Sequence, residues 1–309
     1  RRSPTVRDIV LVAWHRRAVD LPFRLLNVFA QPGVSFSGNP LAVVERASGL
    51  TTMQMQALAR QFNLSETTFV LPPDEDASRG ADARVRIFTP DIEMPFAGHP
   101  TLGTASVVSS LNRGKEPVAL AMAAGLVPVK KVKDRWVLTT ARASRIREYA
   151  GPAAGVASAV GVAPRDIAAD PVWVDSGVEQ LLLEVGSVAA VRGASARADL
   201  LLEHALAPYG EGQVLVWSRL EDDPTRIVAR FFYTGGGSAF EDPATGSAGA
   251  NLGGLLGSAG ALDRVVISQG DQVGRPSTLY VTPQADGRVQ VGGHVVEVGR
   301  GSLHLDQVS

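Results

Sequence analysis

Two similar stretches of the sequence decide its fold: FAGHPTLGTA at residues 96–105 and FEDPATGSA at residues 240–248. Each surrounds one titratable side chain, His99 in the first and Asp242 in the second, with small residues and a proline. Pro100 stands where proline favours the first turn of a helix, and small or apolar residues follow in both stretches. Each stretch therefore predicts a turn that leads into a buried helix, over residues 101–111 in one half of the chain and over 246–256 in the other.

The segments that precede the two stretches also correspond. ARVRIFT at residues 83–89 and RIVARFFY at residues 226–233 are both typical of strands, and Phe232 follows Phe88 by 144 residues. This displacement is close to half of the chain beyond residue 20. The spacing predicts an ancestral duplication. The predicted fold class is accordingly α/β (α+β), with two similar pseudo-symmetric domains, each a strongly curved sheet around a central helix.

Other segments indicate further elements and the domain boundaries. LLNVFA at residues 25–30 predicts a strand, and residues 51–62 predict an amphipathic helix with Thr51 or Thr52 as its N-cap. Paired arginines around one short apolar patch set residues 1–20 apart as an N-terminal extension. We expect an N-terminal domain over residues 21–142 and a C-terminal domain over 143–309, whose final strand returns to the first domain.

Composition excludes several classes of function. The 309 residues carry 30 Lys and Arg against 31 Asp and Glu, so no net positive charge attracts nucleic acid or an anionic membrane. The absence of cysteine excludes disulfides, thiolate metal sites and cysteine nucleophiles. No GxGxxG dinucleotide loop occurs, and the other histidines are too scattered to predict a metal site: His15, His204, His294 and His304.

The same pass indicates where the protein is found. The apolar run at residues 9–14 is far shorter than the ~18 residues that a membrane span requires, and it is too short for a secretory signal. We therefore expect a cytoplasmic protein with no membrane or nucleic-acid partner.

The two predicted helix starts suggest what the site binds. A helix N-terminus offers unpaired backbone N–H groups and the positive end of a dipole, so it binds anions without a lysine or arginine. Gly98, Gly246 and Ser247 lie at these starts and would allow a ligand to approach closely. If the two helices face one cleft, they hold a small carboxylate between them. His99 and Asp242 then arrive beside it as candidates for proton transfer.

The chain resembles the PhzF family of phenazine-biosynthesis-like isomerases, which share the diaminopimelate-epimerase fold. The resemblance rests on four stretches in family order: NLSETTFV (63–70), FTPDIEMPFAGHPTLGTA (88–105), EDPATGSA (241–248) and ISQGDQVGRPSTLYV (267–281). It implies an active site between two domains, no cofactor and a homodimer. It also implies that Glu66 takes a proton from one carbon of a small carboxylate and returns it to another carbon on the same face. The residues that would bind the substrate and assist proton movement are Gly98, His99, Asp242, Gly246 and Ser247.

Two features of the sequence refine this resemblance. Diaminopimelate-type epimerases carry a cysteine before the glycine of each loop, and here Ala97 and Thr245 occupy those places. A two-thiol epimerase is therefore excluded. The segment YTGGGSAF at residues 233–240 lacks the family's usual proline and is slightly longer, which predicts a different choice of substrate.

Plainer interpretations of the same residues stay open at this point. Glu66 is, by base rate, a solvated loop acid, His99 could cap its helix, and Asp242 could complement a helix dipole. Ser247 is a hydrogen-bonding hydroxyl rather than a nucleophile, because no GxSxG elbow surrounds it. Two other functions also remain: an epimerase or racemase with carboxylate and imidazole as its two bases, and a non-catalytic protein that binds small molecules.

Overall fold

The computed structural model describes residues 18–74 and 80–306. Residues 1–17, most of the predicted extension, lie outside the described residues, and the first strand begins at Ala18. The first half of the chain forms these elements: β1 (Ala18–Ala30), β2 (Asn39–Val44), α1 (Thr52–Phe62), β3 (Glu66–Leu71), β4 (Ala83–Phe88), β5 (Glu93–Met94), α2 (Gly98–Leu111), β6 (Val118–Met122), β7 (Gly125–Val132) and β8 (Arg135–Thr139).

The second half of the chain is longer. Its elements are β9 (Arg145–Glu148), α3 (Ala153–Ala159), β10 (Val172–Asp175), β11 (Glu179–Glu184), α4 (Val188–Gly193), α5 (Ala198–His204), β12 (Gln213–Arg219), β13 (Arg226–Gly235), β14 (Ser238–Asp242), α6 (Gly246–Ser258), β15 (Val265–Gln269), β16 (Ser277–Pro283) and β17 (Val289–Asp306). One-turn 3-10 helices lie at Pro164–Asp166 and Asp271–Val273.

Strand pairing confirms the predicted duplication. In the first half β2 runs parallel to β3, β3 antiparallel to β4, and β4 parallel to β6. In the second half the same sequence of pairings joins β11, β12, β13 and β15. Hairpins to β5 and β14 precede the central helices in corresponding places. Each half is therefore a curved sheet around one helix, as the repeated stretches predicted.

The two central helices are buried because their small residues let the strands come close. A Cβ atom at Gly103 of α2 would lie 2.5 Å from a methyl of Leu41. One at Gly253 of α6 would lie 2.5 Å from a methyl of Val281. Real Cβ contacts are longer, so a larger residue at either position would push a strand outward. The low helix propensity of these glycines is thus offset by tight packing inside the sheet.

The surface helix α1 forms where the sequence predicted it. Thr51 accepts from the backbone N–H of Gln54, and the Gln54 side chain accepts from the Thr51 N–H, which completes a capping box. Asn63 ends the helix in the left-handed conformation. The chain then enters β3 at Glu66, so this helix end fixes where the predicted acid begins its strand.

The final strand joins the two halves. The long strand β17 pairs with β8 through Gln290 to Gly293 and with β1 along most of its length. The first three residues of β1, which overlap the predicted extension, pair with the end of β17. Within the described ranges, none of the helices combines the length and the apolarity needed to cross a membrane.

Candidate active site

The N-termini of α2 and α6 meet at one point. A Cβ atom at Gly98 would lie 3.4 Å from the Cα of Gly246 and 3.7 Å from the backbone nitrogen of Ser247. Neither helix start has a side chain that caps it. The first-turn N–H groups of both helices are therefore available to an anion, with the positive ends of two dipoles behind them.

Glu66 and His99 lie side by side at this point. Glu66 is the first residue of β3, and His99 is the second residue of α2. Their facing atoms, Glu66 Oε2 and His99 Nε2, are 3.5 Å apart, and both side chains are largely buried. Neither atom has a hydrogen-bond partner among the described residues. Buried polar atoms are rarely left unpaired, so this pair is suited to a ligand or to a proton that the two share.

Burial sets the protonation of both groups. Desolvation, followed by repulsion from Asp242, raises the pKa of Glu66 to about 8, although the neighbouring Ser65 hydroxyl opposes the shift. Desolvation lowers the pKa of His99 to about 3. At neutral pH the pair is therefore mostly a carboxylic acid beside an uncharged imidazole, rather than an ion pair.

A backbone contact fixes the tautomer of His99. The imidazole hydrogen bonds to the backbone of Pro40, and a proline has no N–H, so the ring nitrogen donates to the Pro40 carbonyl. Because Nε2 has no partner, this donor is Nδ1. The lone pair of Nε2 consequently faces Glu66. His99 does not act as a cap for α2, so that alternative interpretation is wrong.

Asp242 enters the site from the second half, at the end of β14. Its Oδ1 accepts from the Asn39 side chain at 2.8 Å, and its Oδ2 accepts from the Thr245 hydroxyl. Desolvation raises its pKa to about 6, with the Thr245 and Asn39 hydrogen bonds acting against that rise and Glu241 adding to it. Asp242 is therefore ionised at neutral pH, and its charge contributes to keeping Glu66 protonated.

Asn39 links the two acids. Its amide nitrogen donates to Asp242 and to the Ala244 carbonyl, while its Oδ1 accepts from the Ser65 hydroxyl at 3.1 Å. Ser65 also adjoins Glu66, whose pKa it lowers. Asn39 is fully buried. One amide from the first half thus fixes Asp242 of the second half relative to the strand that carries Glu66.

The hairpin between β13 and β14 forms one wall of the site. Burial, followed by the charges of Asp242 and Glu66, raises the pKa of Tyr233 to about 12. Phe240 stacks on Tyr233 across the hairpin at 5.6 Å and is half exposed. Positive φ angles at Gly236 and Gly237 make the two-residue turn that allows this pairing.

The structure brings all six predicted site residues to one place, although their individual roles remain predictions. The sequence analysis did not single out Asn39 or Tyr233. Asn39 opens the apolar strand NPLAVV, and a polar side chain at the head of a buried strand is a signal that could have identified it. Within residues 18–74 and 80–306, no three His, Asp or Glu side chains are grouped as metal ligands would be.

Comparison with known proteins agrees with this architecture. Residues 26–301 match the family described as phenazine biosynthesis-like protein, PhzC-PhzF. An uncharacterised isomerase of Pasteurella multocida is 36% identical over 92% of this chain and 94% of its own length. The trans-2,3-dihydro-3-hydroxyanthranilate isomerase of Pseudomonas fluorescens is 31% identical over 91% of this chain and 98% of its own length.

A solved structure shows the same fold. The PhzF family protein of Bacillus anthracis superimposes with a TM-score of 0.79 at 22% identity, covering 92% of this chain and 99% of that one. The predicted diaminopimelate-epimerase-like fold is confirmed.

Proposed function

Because the chain belongs to the phenazine biosynthesis-like (PhzC-PhzF) family and is an isomerase, we propose that it moves a proton between two carbons of a small carboxylate substrate. The observation that supports the proposal is the unpaired Glu66 and His99 pair beside two uncapped helix starts. The helix starts bind the substrate carboxylate, and the pair carries out the proton transfer.

Glu66 is the base in this proposal. A carboxyl whose pKa is about 8 is partly ionised near neutral pH and is strong enough to remove a proton from an activated carbon. Once protonated, it returns the proton to a second carbon on the same face of the substrate. His99 remains neutral, because its pKa of about 3 opposes protonation, and its Nε2 lies 3.5 Å from the Glu66 oxygen that carries the proton.

The other site residues assist this transfer. Asp242 keeps its charge and raises the proton affinity of Glu66, and Asn39 fixes Asp242 in place. Gly98, Gly246 and Ser247 hold the substrate carboxylate. The reaction transfers no electrons, and Glu66 both removes and returns the proton. We therefore propose that no cofactor takes part. From the family resemblance we also propose that the protein is a cytoplasmic homodimer of secondary metabolism.

The geometry disfavours the two alternatives from the sequence. An epimerase that uses carboxylate and imidazole as opposing bases needs one group on each face of a carbon, each at about 3 Å, and hence roughly 6 Å apart. Glu66 Oε2 and His99 Nε2 are 3.5 Å apart and lie on one side. A non-catalytic binding protein would have no use for a buried carboxyl tuned toward neutral pH.

The test is turnover of trans-2,3-dihydro-3-hydroxyanthranilate, the substrate in the name of the Pseudomonas fluorescens relative, in deuterated buffer. We expect the double bond to migrate, as followed by absorbance and NMR, and deuterium to enter the new carbon only to the extent that protonated Glu66 exchanges with solvent before it returns the proton. Glu66→Gln should abolish the reaction, because an amide cannot accept and return a proton. Glu148→Gln, on exposed β9, is the matched control. Inversion at a single carbon without migration would contradict the proposal, as would a Glu66→Gln variant that keeps most of the rate.

A further inference from the structure

A chain of buried polar side chains lies behind the start of α6. It consists of Asn251, Gln180 and Gln213, which are 0%, 3% and 8% exposed, and it ends at the Ser247 hydroxyl. The proton transfer proposed above makes no use of the three amides. A buried amide destabilises the fold unless each of its polar groups has a hydrogen-bond partner. Here the hydrogen bonds between the side chains run from donor to acceptor in one direction along the chain.

Two backbone groups fix that direction. Asn251 Oδ1 accepts from the backbone N–H of Ser176 at 2.8 Å, and an N–H can only donate, so this atom is the amide oxygen. Asn251 Nδ2 donates to the Val178 carbonyl, which can only accept, and also to Gln180 Oε1, both at 2.9 Å. Gln180 consequently turns its nitrogen away from Asn251.

The direction is passed on to Ser247. Gln180 Nε2 donates to Ser247 Oγ at 3.1 Å and to Gln213 Oε1 at 3.3 Å. The serine oxygen thus serves as an acceptor, and its single hydrogen is left to donate elsewhere. Among the described residues that hydroxyl donates to no protein acceptor. Ser247 is partly exposed between buried neighbours, and its backbone nitrogen adjoins Gly98.

The duplication shows that this arrangement replaces the acid and imidazole of the first half. Thr67 pairs with Phe88 in the first half, and Val214 pairs with Phe232 in the second. Glu66, which precedes Thr67, therefore corresponds to Gln213, which precedes Val214. Counted from the two helix starts, His99 corresponds to Ser247 and Gly103 to Asn251. Where one half has titratable groups, the other has amides and a hydroxyl with fixed hydrogen-bond polarity.

We propose that Asn251 and Gln180 are positioning residues that commit the Ser247 hydroxyl to donate a hydrogen bond into the cleft, to the carboxylate of the ligand. This inference rests on the proposed function, which supplies the carboxylate. The two halves then present opposite polarity to the ligand: α2 presents the Nε2 lone pair of His99, and α6 presents the Ser247 hydrogen. The amides act through Ser247 and do not touch the ligand.

Calorimetric binding of 3-hydroxyanthranilate and of 2-aminophenol tests this role. The two probes differ by the carboxylate alone. The dissociation constant of 2-aminophenol divided by that of 3-hydroxyanthranilate therefore measures how strongly the protein recognises the carboxylate. One hydrogen bond to a charged group corresponds to roughly 10- to 100-fold in affinity. We expect Ser247→Ala to reduce the ratio by about that factor and Gln180→Met by a large part of it.

A double mutant separates positioning from a general structural effect. In a Ser247→Ala background, Gln180→Met should change the ratio no further, since the hydroxyl through which Gln180 acts is gone. Gln290→Met, on β17 and outside the amide chain, is the matched control and should bind like the wild type. Equal weakening of both probes by Gln180→Met, or a loss that persists without Ser247, would overturn the inference.

The proposed function and this inference can fail separately. A wild-type protein that binds the two probes equally has no donor facing a carboxylate, which overturns the inference even if the isomerase assay succeeds. Conversely, a protein that selects 3-hydroxyanthranilate through Gln180 and Ser247 supports the inference even if the dihydro compound is not turned over.

Discussion

Replacing Glu66 with glutamine should stabilise the protein at alkaline pH while it abolishes turnover. The carboxyl is buried, its Oε2 has no hydrogen-bond partner, and Asp242 lies close enough to oppose its ionisation. An amide has nearly the same shape and stays uncharged at every pH. The substitution therefore removes the cost of ionising this position in the folded protein.

The pKa of Glu66 gives the size and the sign of the effect. The pKa rises from 4.5 to about 8 on folding, so between these values the folded protein holds a proton that the unfolded chain has released. Stability must fall as pH rises through this window, because the native state binds more protons there than the unfolded state. At about 1.4 kcal/mol per unit, the full shift corresponds to roughly 5 kcal/mol above pH 8, and roughly 3 kcal/mol of this is lost between pH 6 and pH 9.

Urea denaturation at several pH values between 6 and 9 measures this difference directly. The free energy of unfolding of Glu66→Gln, relative to that of the wild type, should increase by about 3 kcal/mol across the range. Asp242 contributes little to this change, because its pKa of about 6 lies at the lower end. Glu148→Gln removes an exposed carboxyl and should follow the wild type at each pH. Parallel curves for Glu66→Gln and the wild type would refute the assignment of Glu66 as a buried, mostly protonated acid.

Three further substitutions test other parts of the structure. The pKa of His99 falls from 6.5 to about 3 on folding, so the wild type loses stability as the pH is lowered through this window. In the same denaturation assay, the free energy of unfolding of the wild type should therefore fall by roughly 3 kcal/mol more than that of His99→Gln between pH 6.5 and pH 4. Gly246→Ala places a methyl 3.2 Å from Phe29 and 3.6 Å from Gly98, so it should cost about 1–3 kcal/mol and weaken binding of 3-hydroxyanthranilate in calorimetry by separating the two helix starts. Thr51→Ala removes the N-cap of α1 and should lower the free energy of unfolding by about 1 kcal/mol. Because α1 lies on the surface, kcat should stay unchanged, and a change in kcat would contradict this prediction.

The repeated stretches were sufficient to predict the fold because each specifies local structure strongly. Pro100 in the first turn of α2 and the small residues of both helices constrain α2 and α6, and the 144-residue spacing of Phe88 and Phe232 relates the strands that precede them. Long-range pairing was harder to predict. The pairings of β17 with β1 and β8 join segments more than 150 residues apart, such as Asn27 with Val296, and no local pattern specifies them.

The site was predictable in its titratable residues and less so in the residues that hold them. Glu66, His99 and Asp242 lie in stretches with a specific pattern, whereas Asn39, Gln180 and Asn251 are ordinary polar residues in sequence. Their roles follow from burial combined with fixed donors and acceptors, which only the folded chain supplies. Neither the pKa of Glu66 nor the tautomer of His99 could be read from the sequence, because the first depends on desolvation and on the charge of Asp242, and the second on a contact with Pro40.

The difference between the two halves bears on the direction of proton transfer. A duplicated fold offers two equivalent positions from which a base could reach the ligand, one on each side of the cleft. In the first half that position holds Glu66, and in the second it holds Gln213, an amide that cannot take up a proton under ordinary conditions. Asp242, the acid that the second half does contribute, has both oxygens engaged by Asn39 and Thr245. Under the proposed function, proton removal and return therefore fall to the same side, which is what migration of a proton along one face of a substrate requires and what inversion at one carbon does not.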